Sequence, residues 1–147
     1  MNRALRAGGG ICTMVFSQPQ CNPCLTILMS TALEHAGRAP RDPRDPYEPG
    51  GLLSLGRPGL IGELFQAAGF DEVATTRIDA PFRLPSVKDY LHFVRNSASP
   101  IQHILSGLGE SVADAAWADI EARLSIFNTP DGWEGPNELL LTAGRKP

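Results

Sequence analysis

Apolar positions along this chain follow two rhythms. Ile11 to Phe16 is a short, mostly apolar run without polar alternation, bounded by Gly8-Gly9-Gly10 and by the polar stretch Ser17 to Asn22. Such a run predicts a strand buried on both faces, as in a parallel sheet. Ahead of it, Asn2 to Arg6 reads as the last turn of something helical, and the glycines force a turn because they accept positive φ. Leu25, Leu28, Met29, Ala32 and Leu33 then recur at helical spacing. Asn22 is placed as the N-cap of that helix, Pro23 in its first turn and Gly37 as its stop. Leu60, Ile61, Leu64, Phe65 and Ala68 give a second amphipathic helix, ending at Gly69. Phe70 to Ile78 reads as a strand, with Val73, Thr75 and Ile78 favouring extended backbone.

The second half is mainly helical. Ser86 and Asp89 form a capping-box-like start, followed by Val87, Tyr90, Leu91 and Val94 on one face. Ile101, Ile104, Leu105 and Leu108 repeat that spacing after Pro100. Ser111 and Asp114 open another helix, with Val112, Ala116, Ile120 and Leu124 inward. Pro130 to Pro136 reads as a turn, and Leu139 to Leu141 as a last strand before Gly144. The order predicts an α/β domain that begins with a right-handed βαβ crossover. Its segments are a strand and helix over 1–37, a Pro/Gly-rich loop over 38–59, a helix and strand over 60–79, a helical cap over 80–129 and the final strand over 130–147. The loop carries Pro40, Pro43, Pro46, Pro49 and Pro58, which exclude a regular helix or central strand there.

Composition narrows the function classes. With 42% hydrophobic and 20% charged residues in 147, the chain has enough apolar material for a packed core. Sixteen acidic against thirteen basic residues give a net charge of −3, the wrong sign for a nucleic-acid binder. No stretch has the length of uninterrupted apolar residues that spans a bilayer, and Met1 to Gly10 lacks the apolar core of a signal peptide. A cytoplasmic protein is expected, and the odd count of cysteines, Cys12, Cys21 and Cys24, suits a reducing compartment.

Three ordered motifs carry a resemblance. Leu5-Arg6-Ala7-Gly8-Gly9 is similar to the Leu-Lys-Pro-Gly-Gly turn before the fifth strand of class I S-adenosylmethionine-dependent methyltransferases. Gly62 to Phe70 resembles the helix and Ala-Gly-Phe turn leading into their sixth strand. Asn137 to Lys146 resembles their last, antiparallel strand, and Phe82-Arg83-Leu84-Pro85-Ser86 resembles the insertion of members acting on small molecules. The resemblance covers nearly the whole chain. It implies a partial doubly wound, Rossmann-like sheet, the last three strands of that fold, with a helical insertion before the final strand. It also implies methyl transfer from S-adenosylmethionine to a small-molecule acceptor. The family's cofactor-binding features, a glycine-rich loop after the first strand and an acidic residue ending the second, have no counterpart here, because Gly8 to Gly10 precedes a strand. The resemblance therefore implies an acceptor-side half that is inactive alone, in need of an amino-terminal partner chain or a homodimer to complete its sheet.

Ligands of open α/β sheets bind outside the carboxyl ends of strands. This makes Ser17, Gln18 and Gln20 the candidate acceptor-binding residues, with Arg83 and Tyr90 of the insertion closing over them; no general base is assigned. Competing chemistries are weaker. Cys21-Asn22-Pro23-Cys24 has the Cys-x-Pro-Cys form of a thioredoxin site, in which a helix amino terminus lowers a thiol pKa, and a thiol redox protein is one alternative. Gln20 stands where that arrangement has tryptophan, and Phe70 to Ile78 lacks its proline. A non-catalytic partner that completes another chain's sheet is the other alternative. A zinc site from Cys12, Cys21, Cys24 and His35 has only one close ligand pair, and His35 lies roughly 16 Å along the helix from Cys24. His92 and His103 fall outside the family motifs. Arg38, Arg41, Arg44 and Arg57 alternate with Asp42, Asp45 and Glu48, whose charges offset them.

Overall fold

The computed structural model describes residues 2–39, 47, 50–97 and 99–147. In chain order the elements are β1 (Gly10–Phe16), α1 (Pro23–His35), α2 (Leu60–Ala67), β2 (Asp71–Asp79), β3 (Phe82–Leu84), α3 (Val87–Ser97), α4 (Ser99–Ser106), α5 (Glu110–Leu124), β4 (Asn128–Thr129), β5 (Gly132–Gly135) and β6 (Glu138–Arg145). The chain is mixed α/β, with two small antiparallel sheets, and divides into two units.

The first unit holds β1, α2, β2 and β6. Its sheet has the order β1-β6-β2, and β6 is antiparallel to both neighbours. β1 and β2 consequently run in the same direction but do not touch as a βαβ pair; the chain's last strand lies between them. β6 suits the centre because it is the strand with the deepest burial, including Leu140 and Thr142. Ile61 and Phe65 of α2 pack with Phe70 against Ile11, Val15 and Val73. Thr75 and Thr142 close a hydroxyl–hydroxyl hydrogen bond of 2.8 Å between neighbouring strands.

The expectation that Ile11 to Phe16 is buried on both faces is corrected. Strand alternation puts Ile11, Thr13 and Val15 on the α2 side and Cys12, Met14 and Phe16 on the other. Cys12 is exposed and Met14 is 57% exposed, because α2 covers only one side of the sheet. The strand following Gly69 is Asp71–Asp79, interrupted by a bulge between Asp71 and Ala74, where Glu72 takes φ 51°. The last strand is longer than Leu139 to Leu141, running Glu138–Arg145.

The second unit holds α1, the three helices α3 to α5, and the sheet β3-β5-β4. The apolar stripes read from the sequence meet here: Cys24, Leu28 and Ala32 of α1, Val87, Tyr90, Leu91 and Val94 of α3, Ile101 and Leu105 of α4, and Ala116, Ile120 and Leu124 of α5 form one core. The start of α3 is capped as expected, Asp89 N–H donating to Ser86 Oγ at 3.3 Å and Ser86 Oγ–H to Asp89 Oδ2 at 2.6 Å.

Two expectations change in this unit. Helix α5 begins at Glu110 rather than Ser111, and Val112 is 42% exposed, because the first turn of the helix extends past the core. Pro130 to Pro136 is not simply a turn. It carries β5, which pairs with β4 and β3 and delivers Trp133 to the core. Trp133 stacks on Tyr90 at 4.6 Å between centroids, meets the edge of Phe127, and donates its indole N–H to Leu124 O at 2.8 Å. Gly135 is required beside it: an added Cβ would lie 2.2 Å from the Trp133 ring and 2.8 Å from Cys24 Sγ. Of the Pro/Gly-rich loop, Pro40, Arg41, Asp42, Pro43, Arg44, Asp45, Pro46, Glu48 and Pro49 lie outside the described residues.

Candidate functional site

The polar residues that leave β1 form a connected cluster. Ser17 N–H donates to Glu138 O at 3.0 Å, extending the β1–β6 ladder by one bond. A 3-10 turn, Pro19–Cys21, follows, pinned by Cys21 N–H to Gln18 O and Asn22 N–H to Pro19 O, each 3.0 Å. Proline fixes φ for the first position of such a turn. The turn brings Asn22 back over the strand end. Its carboxamide nitrogen donates to Ser17 Oγ at 3.2 Å and Gln18 O at 3.1 Å, and its oxygen accepts from Glu138 N–H at 3.1 Å. Ser17 and Asn22 are both buried, and a buried hydroxyl or amide is stable only when bonded in this way.

Gly56 presses on the same strand end. A Cβ there would sit 2.3 Å from Ser17 O and 2.8 Å from Phe16 O, so only glycine permits this approach. The neighbouring Arg57 is tied to Glu63 of α2 at 2.7 Å. Gln20 donates to the Gln18 side chain, making the two amides a single unit, with Gln20 exposed and Gln18 half-buried.

The electrostatics centre on Cys21. Burial pushes its thiol up first. The Glu138 carboxylate, through its charge and a hydrogen bond, pushes it further, while Ser17 and Arg77 oppose the shift. Cys24 is buried in the core of the second unit, and burial pushes its thiol up to about 12. Both shifts are opposite to those of an activated thiolate, which requires a lowered pKa. All three cysteines are free. Among the described residues no three His, Cys, Asp or Glu side chains gather as a metal set.

Of the residues singled out in the sequence, Ser17, Gln18 and Gln20 are therefore brought together. Arg83 and Tyr90 belong to the other unit. Arg83 is exposed and paired with Glu134, Nε to Oε2 at 2.9 Å. Tyr90 is a core residue, 1% exposed, stacked on Trp133 and in tilted contact with Phe82. His92 and His103 are exposed on α3 and α4. His35 bonds Asp119 of α5 at 3.1 Å. The sequence does not single out Asn22 or Glu138 for the cluster. Asn22 reads as a helix cap and Glu138 as a strand residue, and only the pairing of β1 with β6 joins them.

The cluster offers amide donors and acceptors from Gln18 and Gln20, a protonated thiol from Cys21 and a carboxylate from Glu138. This set suits a polar organic molecule through hydrogen bonds. Comparison with protein-family models and with curated proteins finds no match to this chain. Among the described residues, no helix is long and apolar enough to cross a membrane.

Proposed function

We propose that this chain is the acceptor-side part of a class I S-adenosylmethionine-dependent methyltransferase, built on the last three strands of a partial doubly wound, Rossmann-like sheet. The observation that carries the reading is the chain's final strand. β6 follows a helical unit, returns to the sheet and runs antiparallel to both β1 and β2, the direction that the resemblance implies for the closing strand. The cofactor site, in this reading, lies outside the chain. What supports this is the way that the strands end. β1 leaves into the Pro19–Cys21 turn and β2 into Ala80 and Pro81, so neither ends in a glycine-rich turn opening a helix. In this reading the described cluster serves the acceptor, and S-adenosylmethionine is held elsewhere.

Gln18 and Gln20 are assigned to the acceptor. Ser17 and Asn22 hold the turn that presents them, and Glu138 stands beside them as the one carboxylate of the cluster. Catalysis by positioning demands such a rigid support, since small displacements of a reacting atom cost rate steeply.

The test is calorimetric titration with S-adenosylmethionine and S-adenosylhomocysteine, first of the folded chain alone. It is then repeated with the chain mixed with a separately expressed cofactor-binding half that carries a Gly-x-Gly-x-x-Gly loop. No heat from the chain alone and micromolar binding that depends on both pieces are expected. Micromolar binding by the chain alone would overturn the assignment of the cofactor site. A folded mixture in which the chain adds nothing to the other half would overturn the methyltransferase reading.

A further inference from the structure

We infer that the cluster at the carboxyl ends of β1 and β2 takes a small zwitterion as its acceptor, the ammonium group on Glu138 and the carboxylate on Arg77. The inference rests on the assignment of this cluster to the acceptor and adds the chemistry of what it holds. Strand register supplies the geometry. Ser17 continues the ladder of β1 by donating to Glu138 O at 3.0 Å, and Glu138 lies opposite Asp79 of β2. One row further in, Val15, Leu140 and Arg77 stand side by side. Residues directly opposite one another share a face, as do residues two apart, so both rows point to the side of the sheet that bears α2. α2 itself sits over the other end of that face, with Gly62 beside Val73 and Thr75 and Phe65 beside Gly144. Arg77 and Glu138 are diagonal neighbours, a separation of roughly 7 Å.

Among the described residues, neither Arg77 nor Glu138 closes an ion pair, with the other or elsewhere. Both nonetheless act on one atom. The Cys21 thiol is pushed up by burial first and then by the Glu138 carboxylate, while Ser17 and Arg77 act in the opposite sense. A carboxylate and a guanidinium that face one small space without closing on each other offer complementary ends to a molecule with both charges. The arginine presents a planar fork that fits a carboxylate through two N–H bonds. The Glu138 carboxylate accepts from an ammonium group, and Asp79 opposite it adds negative potential on that side. The Gln18 and Gln20 carboxamides, joined to each other on the turn beyond Ser17, supply donors and acceptors to the rest of the molecule. An acceptor with only a negative charge meets Glu138 and Asp79, and one with only a positive charge meets Arg77, so both are disfavoured against the zwitterion.

The test is a nuclear magnetic resonance titration of the nitrogen-labelled chain at neutral pH with three related probes: norleucine, pentylamine, which lacks its carboxylate, and hexanoate, which lacks its amine. Norleucine is expected to bind saturably in the millimolar range, shifting the side-chain amides of Gln18 and Gln20 and the backbone amides of Cys21 and Glu138. Each singly charged probe is expected to bind on the order of tenfold more weakly. Arg77→Gln is expected to reduce norleucine to the affinity of pentylamine, and Glu138→Gln to that of hexanoate. Absence of saturable shifts at these groups overturns the inference. So do three probes that bind alike, or variants that weaken all three equally. S-adenosylhomocysteine, which carries the same pair of charges at its amino-acid end, is the fourth probe. If it binds the chain alone in competition with norleucine and weakens in Arg77→Gln, the cluster holds the cofactor, and the acceptor assignment falls with the inference. If norleucine fails while the titration of the two mixed halves succeeds, the inference falls and the methyltransferase reading stands.

Discussion

At the scale of single residues, burial sorts groups of one chemical type into different roles. The three thiols are the simplest case. Cys12 is exposed, Cys21 half-buried beside Glu138, and Cys24 shut in a core with its thiol pushed up to about 12. A disulfide-exchange reagent at neutral pH is expected to label Cys12 first, Cys21 more slowly, and Cys24 only after denaturation. Rapid native labelling of Cys24 would contradict its placement. Thr31 of α1 is a different kind of buried polar group. It is fully buried, and among the described residues its hydroxyl has no hydrogen-bond partner. Thr31→Val removes the unsatisfied group at nearly constant shape and is expected to raise stability by about 1 kcal/mol in urea unfolding; a loss would reveal a bond to that oxygen. Gly135→Ala is expected to cost about 3 kcal/mol through the clash with Trp133 and to shift Trp133 emission as the ring moves. An unchanged spectrum would show that the strand yields instead.

At the scale of elements, α1 and α5 are joined at their polar margin as well as through the core. Arg123 spans Glu34 at 2.8 Å and Asp119 at 3.0 Å, and His35 meets Asp119 at 3.1 Å. The Arg123 hydrogen bonds, with His35 second, hold the Asp119 carboxyl below its ordinary value. A carboxyl with a lowered folded pKa adds stability at pH values above its ordinary pKa, and that contribution disappears as pH falls through the folded value. Asp119→Asn is therefore expected to be less stable than the natural chain at neutral pH, and the gap is expected to close in acid. The effect is small because these side chains are partly exposed and screened. Thermal unfolding of both proteins from pH 7 down to pH 2 measures it. A gap that stays constant over that range would show that Asp119 does not titrate with folding.

At the scale of the whole molecule, the two cores differ in size. Among the described residues, the cluster of the second unit holds thirteen buried hydrophobic side chains and that of the first unit three, Ile61, Phe65 and Phe70, so the first tolerates the loss of one far less well. Phe65→Ala removes a buried aromatic ring of α2 that packs in the core under the sheet and is expected to cost about 3 kcal/mol, enough to melt that sheet in far-ultraviolet circular dichroism. Ile120→Ala, of similar cost, is expected to leave a folded second unit, read by Trp133 emission. If Phe65→Ala keeps its strand signal, the sheet has support beyond α2.

What the sequence determined by itself is local. The stripes Val87-Tyr90-Leu91-Val94 and Ala116-Ile120-Leu124, the cap of α3 and the strand at Ile11 to Phe16 depend on residues a few positions apart, and helix and strand periods make such patterns legible. The turn after β1 was readable for the same reason. Everything that sets distant segments side by side was decided by tertiary structure. Nothing within Glu138–Arg145 says that it lies between β1 and β2, and Asn22 and Glu138 are bonded across 116 positions. Tyr90 is a site candidate by its place in the insertion; packing against Trp133 puts it in a core instead. Met14 looked buried because its neighbours are apolar, yet exposure depends on what covers a face, and α2 covers only the other one.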